Sequence, residues 1–252
     1  MRRALLSFVS LVVASISQFS LANPSSVPIL CYHRFGPTVA DSMTIRTETF
    51  VSQLDYLKDN GYTVVPLADA LAWREGKKEL PDKSVVITVD DGHISQYTVM
   101  KPIIEKYKIP VTLFIYPSAI SNASYAMTWD QVREMRNEQW FNVQGHTYWH
   151  PNFKTEKKRL KPDEYEKFVN MQLGKSKSVL EKKLDISVDT LAWPFGIETK
   201  ELQEYAAHNG YQAALALEGR TANQTDSLYA LPRFLMSEQY KGHAFVALLN
   251  SR

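Results

Sequence analysis

The sequence predicts an α/β protein, a distorted (β/α) barrel of seven or eight parallel strands. Three observations predict it. Apolar, β-branched runs alternate with amphipathic segments from Ile29 to Asn250. Glycines close several of those segments, at Gly61, Gly76 and Gly210, as expected just past helix ends. Polar or unusual residues stand at the ends of the apolar runs, at His33, Asp90-Asp91, His146 and Pro194-Phe195-Gly196. A parallel barrel collects its reactive groups at those strand ends.

The N-terminus reads Met1-Arg2-Arg3, then an apolar stretch Ala4–Val13, then Ser20-Leu21-Ala22. A basic start, an apolar centre and a small-residue site form a secretory signal, with cleavage expected after Ala22 and a periplasmic or secreted product. The apolar stretch is too short and serine-rich for a good membrane span, so no stable membrane partner is expected. Residues 23–252 are expected to form one domain. Without the signal the chain carries 27 basic and 27 acidic residues. That balance offers no global field for nucleic acid. Cys31 is the only cysteine, so there is no intrachain disulfide, and its apolar neighbours fit a buried, inert thiol.

In chain order the predicted strands are Ile29–His33, Tyr62–Val65, Val85–Asp90, Val111–Tyr116, Phe141–Gly145, Thr190–Trp193, Tyr211–Leu215 and Tyr229–Leu235. The predicted helices are Glu48–Asn60, Leu67–Glu75, Ser95–Tyr107, Thr128–Glu138, Pro162–Lys183, Glu198–Asn209 and Glu238–Asn250. Alternation of this kind implies right-handed crossovers between parallel strands. The Lys/Glu-rich stretch Lys154–Lys183 reads as a solvated helix face and its lead-in loop. Trp73 and Trp140 are assigned to the core and Trp129 to packing. Trp149 and Tyr148 suit a partly exposed place in a groove.

Two stretches carry chemistry. Thr88-Val89-Asp90-Asp91-Gly92 ends an apolar run with adjacent carboxylates. Neighbours on a regular strand face opposite ways, so both reach one site only if the strand breaks, which Gly92 permits. His146-Thr147-Tyr148-Trp149-His150 spaces two imidazoles i, i+4, the spacing of one helical turn. One carboxylate and two imidazoles hold a borderline divalent metal with a position left open for water, and the spare carboxylate serves as a base. Taken singly, the first stretch reads rather as a solvated turn, and the second is at least as readily structural. Both following apolar strands in one barrel-like chain favours the metal reading.

On these residues the chain resembles the polysaccharide deacetylases of the NodB-homology type, the fourth carbohydrate esterase family. Thr88–Gly92 matches the first family motif, with Val89 where phenylalanine is usual. His146–His150 matches the His-Ser/Thr-x-x-His motif. Trp193-Pro194-Phe195-Gly196 resembles the third motif, with Phe195 in place of tyrosine. The resemblance spans a core of about residues 84–252, and Ile29–Arg34 resembles the opening strand of the subgroup acting on poly-β-1,6-N-acetylglucosamine.

The resemblance implies a NodB-like barrel in which Asp90 is the base and Asp91, His146 and His150 hold the metal. That metal is expected to be zinc, with cobalt, nickel or iron as alternatives. Metal-bound water, deprotonated by Asp90, attacks an acetamide carbonyl, and the Phe195 backbone N–H helps to stabilise the oxyanion. Trp193 and Phe195 are expected to border the substrate. The arginine that normally opens the third motif is missing, since Leu191-Ala192 precede Trp193; Arg233 is the candidate to supply its charge. The late Leu-x-His motif is missing too, which leaves His33 as the preferred additional site histidine and His93 as a cleft residue. The implied activity is hydrolytic removal of acetyl groups from N-acetylglucosamine units of a polysaccharide. An O-acetyl esterase on xylan-type glycans would use the same centre, and a non-catalytic carbohydrate-binding relative would keep the fold alone.

Overall fold

The computed structural model describes residues 23–251; the expected signal, residues 1–22, lies outside the described residues. Eight strands form one parallel sheet: Ile29–Tyr32 (β1), Thr63–Val64 (β2), Ser84–Asp91 (β3), Val111–Ile115 (β4), Phe141–Gly145 (β5), Thr190–Ala192 (β6), Ala213–Leu215 (β7) and Phe234–Leu235 (β8). In space the path runs β7-β6-β5-β4-β3-β1-β8, and β2 pairs with the first two residues of β3. A parallel bridge from Leu215 to Leu231 brings the chain before β8 back against β7, so the sheet curls round on itself. Between β5 and β6 only Gly145 and Leu191 pair. There the Gln144 side-chain oxygen accepts from the backbone N–H of Asp189 and Thr190, both at 3.0 Å, in place of a ladder.

Eight α-helices accompany the strands among the described residues: Thr47–Asp59 (α1), Leu67–Arg74 (α2), Lys101–Tyr107 (α3), Trp129–Asn137 (α4), Phe153–Arg159 (α5), Pro162–Leu184 (α6), Lys200–His208 (α7) and His243–Asn250 (α8). Some of their starts are chemically marked. Thr128 and Gln131 form a reciprocal capping box on α4, and Thr199 caps α7 through the Leu202 N–H. Such caps satisfy backbone donors that the first turn leaves open. No helix among the described residues is long and apolar enough to cross a membrane.

The side-chain period of a strand divides the core in two. Val86, Phe114, Ala192 and Leu215 fill the inside of the curl, where Leu67, Ala70 and Trp73 of α2 plug one end. Their neighbours Val85, Ile87, Leu113, Ile115, Leu191 and Ala214 face outward under the helices. Strands buried on both faces read as continuous apolar runs, as in β3 and β4. The inward series continues past the apolar residues: Val86, Thr88 and Asp90 on β3, and Gln144 and His146 at the end of β5. Polar groups therefore converge at one mouth.

Several expected elements differ. The lead-in to α6 is not a loop, because Asn152 accepts from the Thr155 N–H and starts α5. Glu238 lies outside the last helix, which starts only at His243; its carboxylate is instead held by Arg46 and Thr49. The segment expected as one helix from Ser95 opens with a wide π turn, Gln96–Met100. That turn buries Gln96, whose amide donates to the carbonyls of His33 and Asp90, so it ties two strand ends together. Trp73 is buried; Trp140 is half-buried against the core.

Candidate metal centre

Asp90 ends the inward series of β3 and is 1% exposed. Arg233, fully buried, approaches from the segment before β8. Its Nη1 and Nη2 donate to Oδ1 and Oδ2 of Asp90, each at 2.8 Å. Nη1 also donates to Thr88 Oγ1 at 3.1 Å, and Nε to the Ala216 carbonyl at 3.2 Å. Burial works against the Asp90 charge, but Arg233 and His146 outweigh it and hold the carboxyl below its ordinary range. Arg233 thus replaces the missing motif arginine from another part of the chain. Its expected place among the substrate-contacting residues is corrected: a side chain with no exposed surface touches Asp90, not substrate.

Asp91 should face the helices. It reaches the site because its own backbone turns left-handed, with φ 84°; the break expected at Gly92 starts one residue earlier. Gly92 is left-handed too, and a Cβ there would stand 2.9 Å from Ile120 Cδ1. The histidine motif is likewise not helical. Thr147 and His150 both have φ 63°, and the looped chain brings the imidazoles together with ring centroids 4.7 Å apart. Phe195 (φ 57°) is a fourth left-handed, non-glycine residue at the site, and three others occur elsewhere among the described residues. Such backbone persists where the surroundings over-determine it, commonly at functional sites.

The donors of Asp91, His146 and His150 lie within 4.8 Å of one another. His146 Nε2 and His150 Nε2 stand 3.6 and 3.8 Å from Asp91 Oδ1, too far for hydrogen bonds. Asp91 Oδ1 is buried and has no hydrogen-bond partner. His146 Nδ1–H donates to the Ala192 carbonyl at 2.7 Å, which fixes the tautomer and leaves Nε2 free toward Asp91, as for a metal-ligating imidazole. Burial and neighbouring His146 push His150 down to about 4, so its ring is a neutral donor. An orphaned carboxylate oxygen and two free imidazole nitrogens at this spacing fit one divalent metal. A second close group, Cys31, His33 and Asp90, does not fit one. Both Asp90 oxygens are engaged by Arg233, and burial raises the Cys31 thiol pKa, keeping it protonated.

A cleft of about 400 Å³ opens over the cluster, bordered by His33, Arg34, Tyr116, Phe195, Leu217 and Leu235 among others. His33 is 8% exposed. Phe195 is 58% exposed, with its ring 4.6 Å from that of His150. Trp193 borders the cleft but exposes no surface: its ring packs on Phe153 and its Nε1 donates to the Tyr229 carbonyl. Its expected contact with substrate is therefore corrected to a packing role. Sequence reasoning missed Tyr116, Leu217 and the Ala192 carbonyl. A strand-end tyrosine carries no motif, and a backbone carbonyl leaves no trace in residue types.

A model of the polysaccharide deacetylase family matches residues 77–214. The chain belongs to the polysaccharide deacetylase family. It is accordingly a hydrolase, and the family's general metal dependence agrees with the Asp/His cluster. YxkH of Bacillus subtilis is similar, 28% identical over 229 residues that span 90% of this chain and 77% of that protein. The poly-beta-1,6-N-acetyl-D-glucosamine N-deacetylase of Escherichia coli K12 is 26% identical over 243 residues. That match takes in 82% of this deacetylase-family chain but only 36% of the relative. The structure of IcaB from Ammonifex degensii superposes with a TM-score of 0.79 at 25% identity, over 91% of this chain and 99% of that one. The superposition agrees with the fold expected of a NodB-like domain.

Proposed function

We propose that this family member is an exported, metal-dependent N-deacetylase of a polysaccharide containing N-acetylglucosamine, with β-1,6 linkage the first choice. The carrying observation is the pairing of an orphaned Asp91 oxygen and two tautomer-ready imidazoles with an adjacent, arginine-clamped Asp90. Similarity to a poly-β-1,6-N-acetylglucosamine N-deacetylase supports the substrate class, and the signal-like Met1–Ala22 supports export. Asp91, His146 and His150 would hold the metal, zinc by its liking for nitrogen and oxygen donors. When bound, the metal supplies Lewis-acid polarisation and makes nearby water more acidic.

The protein's own groups perform the rest. Asp90 is kept ionised by Arg233 and accepts the proton of the attacking water. The acetamide carbon gains that oxygen, and the backbone N–H of Phe195 donates to the carbonyl oxygen as its charge grows. Asp90 then returns that proton to the departing amine while His33 lines the same cleft wall, and acetate leaves. The left-handed turns at Asp91, Thr147, His150 and Phe195 set these groups before substrate arrives, which limits reorganisation during the reaction.

Acetate release from a β-1,6-linked N-acetylglucosamine oligomer tests the reading. Purified protein should release acetate, lose this on chelation and regain it with zinc. Release from acetylated xylan alone would move the assignment to an O-esterase, and release indifferent to chelation would sink the metal role.

A further inference from the structure

A rim beside the centre holds groups that the reaction above does not use. Residues 92–94 pair with residues 125–127: the Ile94 N–H donates to the Tyr125 carbonyl at 2.8 Å and the Met127 N–H to the Gly92 carbonyl at 2.9 Å. This stiff platform sets the Tyr125 ring nearly parallel to that of His93, at 12° with centroids 6.3 Å apart. Tyr125 is 44% exposed, and its hydroxyl bonds that of Tyr116, a cleft residue, at 2.9 Å.

His93 presents a directed donor. Its Nδ1 accepts from the Ser95 N–H at 3.1 Å and lies 2.8 Å from Ser95 Oγ. Ser95 Oγ itself accepts from the Phe35 N–H at 3.0 Å, so its own hydrogen points to Nδ1. The neutral ring must then carry its proton on Nε2, which has no hydrogen-bond partner among the described residues. Phe35 follows Arg34, which borders the cleft. Asp41 holds Arg34 Nη1, while Arg34 Nε is buried without a partner. Asp41 is fixed in turn by the Met43 N–H at 3.0 Å and the Thr44 hydroxyl at 2.9 Å, and it offsets the guanidinium charge.

We propose that His93 and Tyr125 form a second sugar subsite that holds the unit next to the one being deacetylated. An exposed aromatic face covers the apolar face of a pyranose. The unpartnered His93 Nε2–H matches a hydroxyl or acetamido oxygen, and leaving such a donor unpaired in the closed complex costs free energy. The Asp41 counter-charge suits a neutral, still acetylated neighbour over an anionic glycan. This inference rests on the polysaccharide reading above.

The test compares wild type with Tyr125→Ala and His93→Asn on a β-1,6-linked N-acetylglucosamine pentamer. Asparagine keeps an acceptor for the Ser95 N–H but removes the Nε2 donor. Pentamer binding by titration calorimetry and steady-state kinetics are both read. We expect Kd and KM to rise about tenfold for Tyr125→Ala and severalfold for His93→Asn, with the loss in KM rather than kcat. Unchanged Kd and KM in both variants, or a loss confined to kcat, would overturn the subsite. A wild type that binds the pentamer through these residues without releasing acetate would fail the reaction reading and keep the subsite. A wild type that does not bind it would fail the subsite.

Discussion

Arg233 grips Asp90 through two parallel 2.8 Å hydrogen bonds, with both side chains shielded from solvent. Neither residue has another full-charge partner as close. The pair closes the floor of the candidate site and links β3 to the segment before β8.

Arg233→Met should therefore strand a buried carboxylate and cost about 3–5 kcal/mol. The pH dependence gives the sign. In the wild type Asp90 is held below its ordinary range, so its contribution is present above about pH 4 and is lost as pH falls through the folded value. Without the guanidinium, burial dominates and raises the Asp90 pKa, so Arg233→Met should gain stability relative to wild type on acidification. Urea unfolding at pH 7 and 5 reads this, and a difference between the proteins that is equal at both pH values would refute it.

Asp91→Asn, His146→Gln and His150→Gln should each lower the metal content of protein purified and dialysed under identical conditions. In the wild type, acid should release metal through His146 first. Asp90 and Asp91 raise its pKa against burial, whereas His150 stays unprotonated down to about 4. Metal binding competes with ligand protonation, so elemental analysis across a pH series should show one early release step that His146→Gln abolishes. Equal retention by all four proteins would remove the assignment.

Gly196→Ala should damage the cleft wall. Gly196 has φ +67°, and a Cβ there would lie 2.6 Å from Leu217 Cβ and 2.8 Å from its backbone nitrogen. Backbone cannot swing aside like a side-chain tip, so a cost of about 1–3 kcal/mol is expected. Because Leu217 and Phe195 border the cleft, kcat/KM should fall with Tm. A wild-type Tm would show that the wall yields freely.

Glu238→Gln should weaken the tie between the C-terminal segment and α1. The carboxylate accepts from Arg46 Nε at 2.8 Å and the Thr49 hydroxyl at 3.0 Å. Burial opposes its charge, yet Arg46 and Thr49 prevail and lower its pKa. Its stabilisation is thus present above the usual glutamate range and fades as pH falls. The variant should lose about 0.5–1 kcal/mol at pH 7 and show a flatter acid limb in thermal unfolding. Parallel acid limbs would exclude Glu238 as a contributor.

Legibility followed interaction range. The strand–helix alternation was readable because β3 and β4 are buried on both faces and carry continuous β-branched runs. Asp90-Asp91 and the His146/His150 spacing were readable because each motif is contiguous. What failed was local geometry under tertiary control. The i, i+4 histidines suggested a helical turn, yet Thr147 and His150 are left-handed. The donor set converges all the same, because β5 and the loop after it fix the imidazoles. Glu238 looked helical by composition but found Arg46, 192 residues away.

By itself the sequence determined the parallel α/β architecture, the pairs of carboxylates and imidazoles, and the likeness to a family. These follow from side-chain period and from residues adjacent in the chain. Only the tertiary structure decided that Arg233 holds Asp90 across 143 residues, that the Ala192 carbonyl sets the His146 tautomer, and that Asp91 turns into the mouth. Those choices depend on which strand ends meet when the sheet curls. The partners are distant in sequence, and one of them is a backbone atom that every residue type shares.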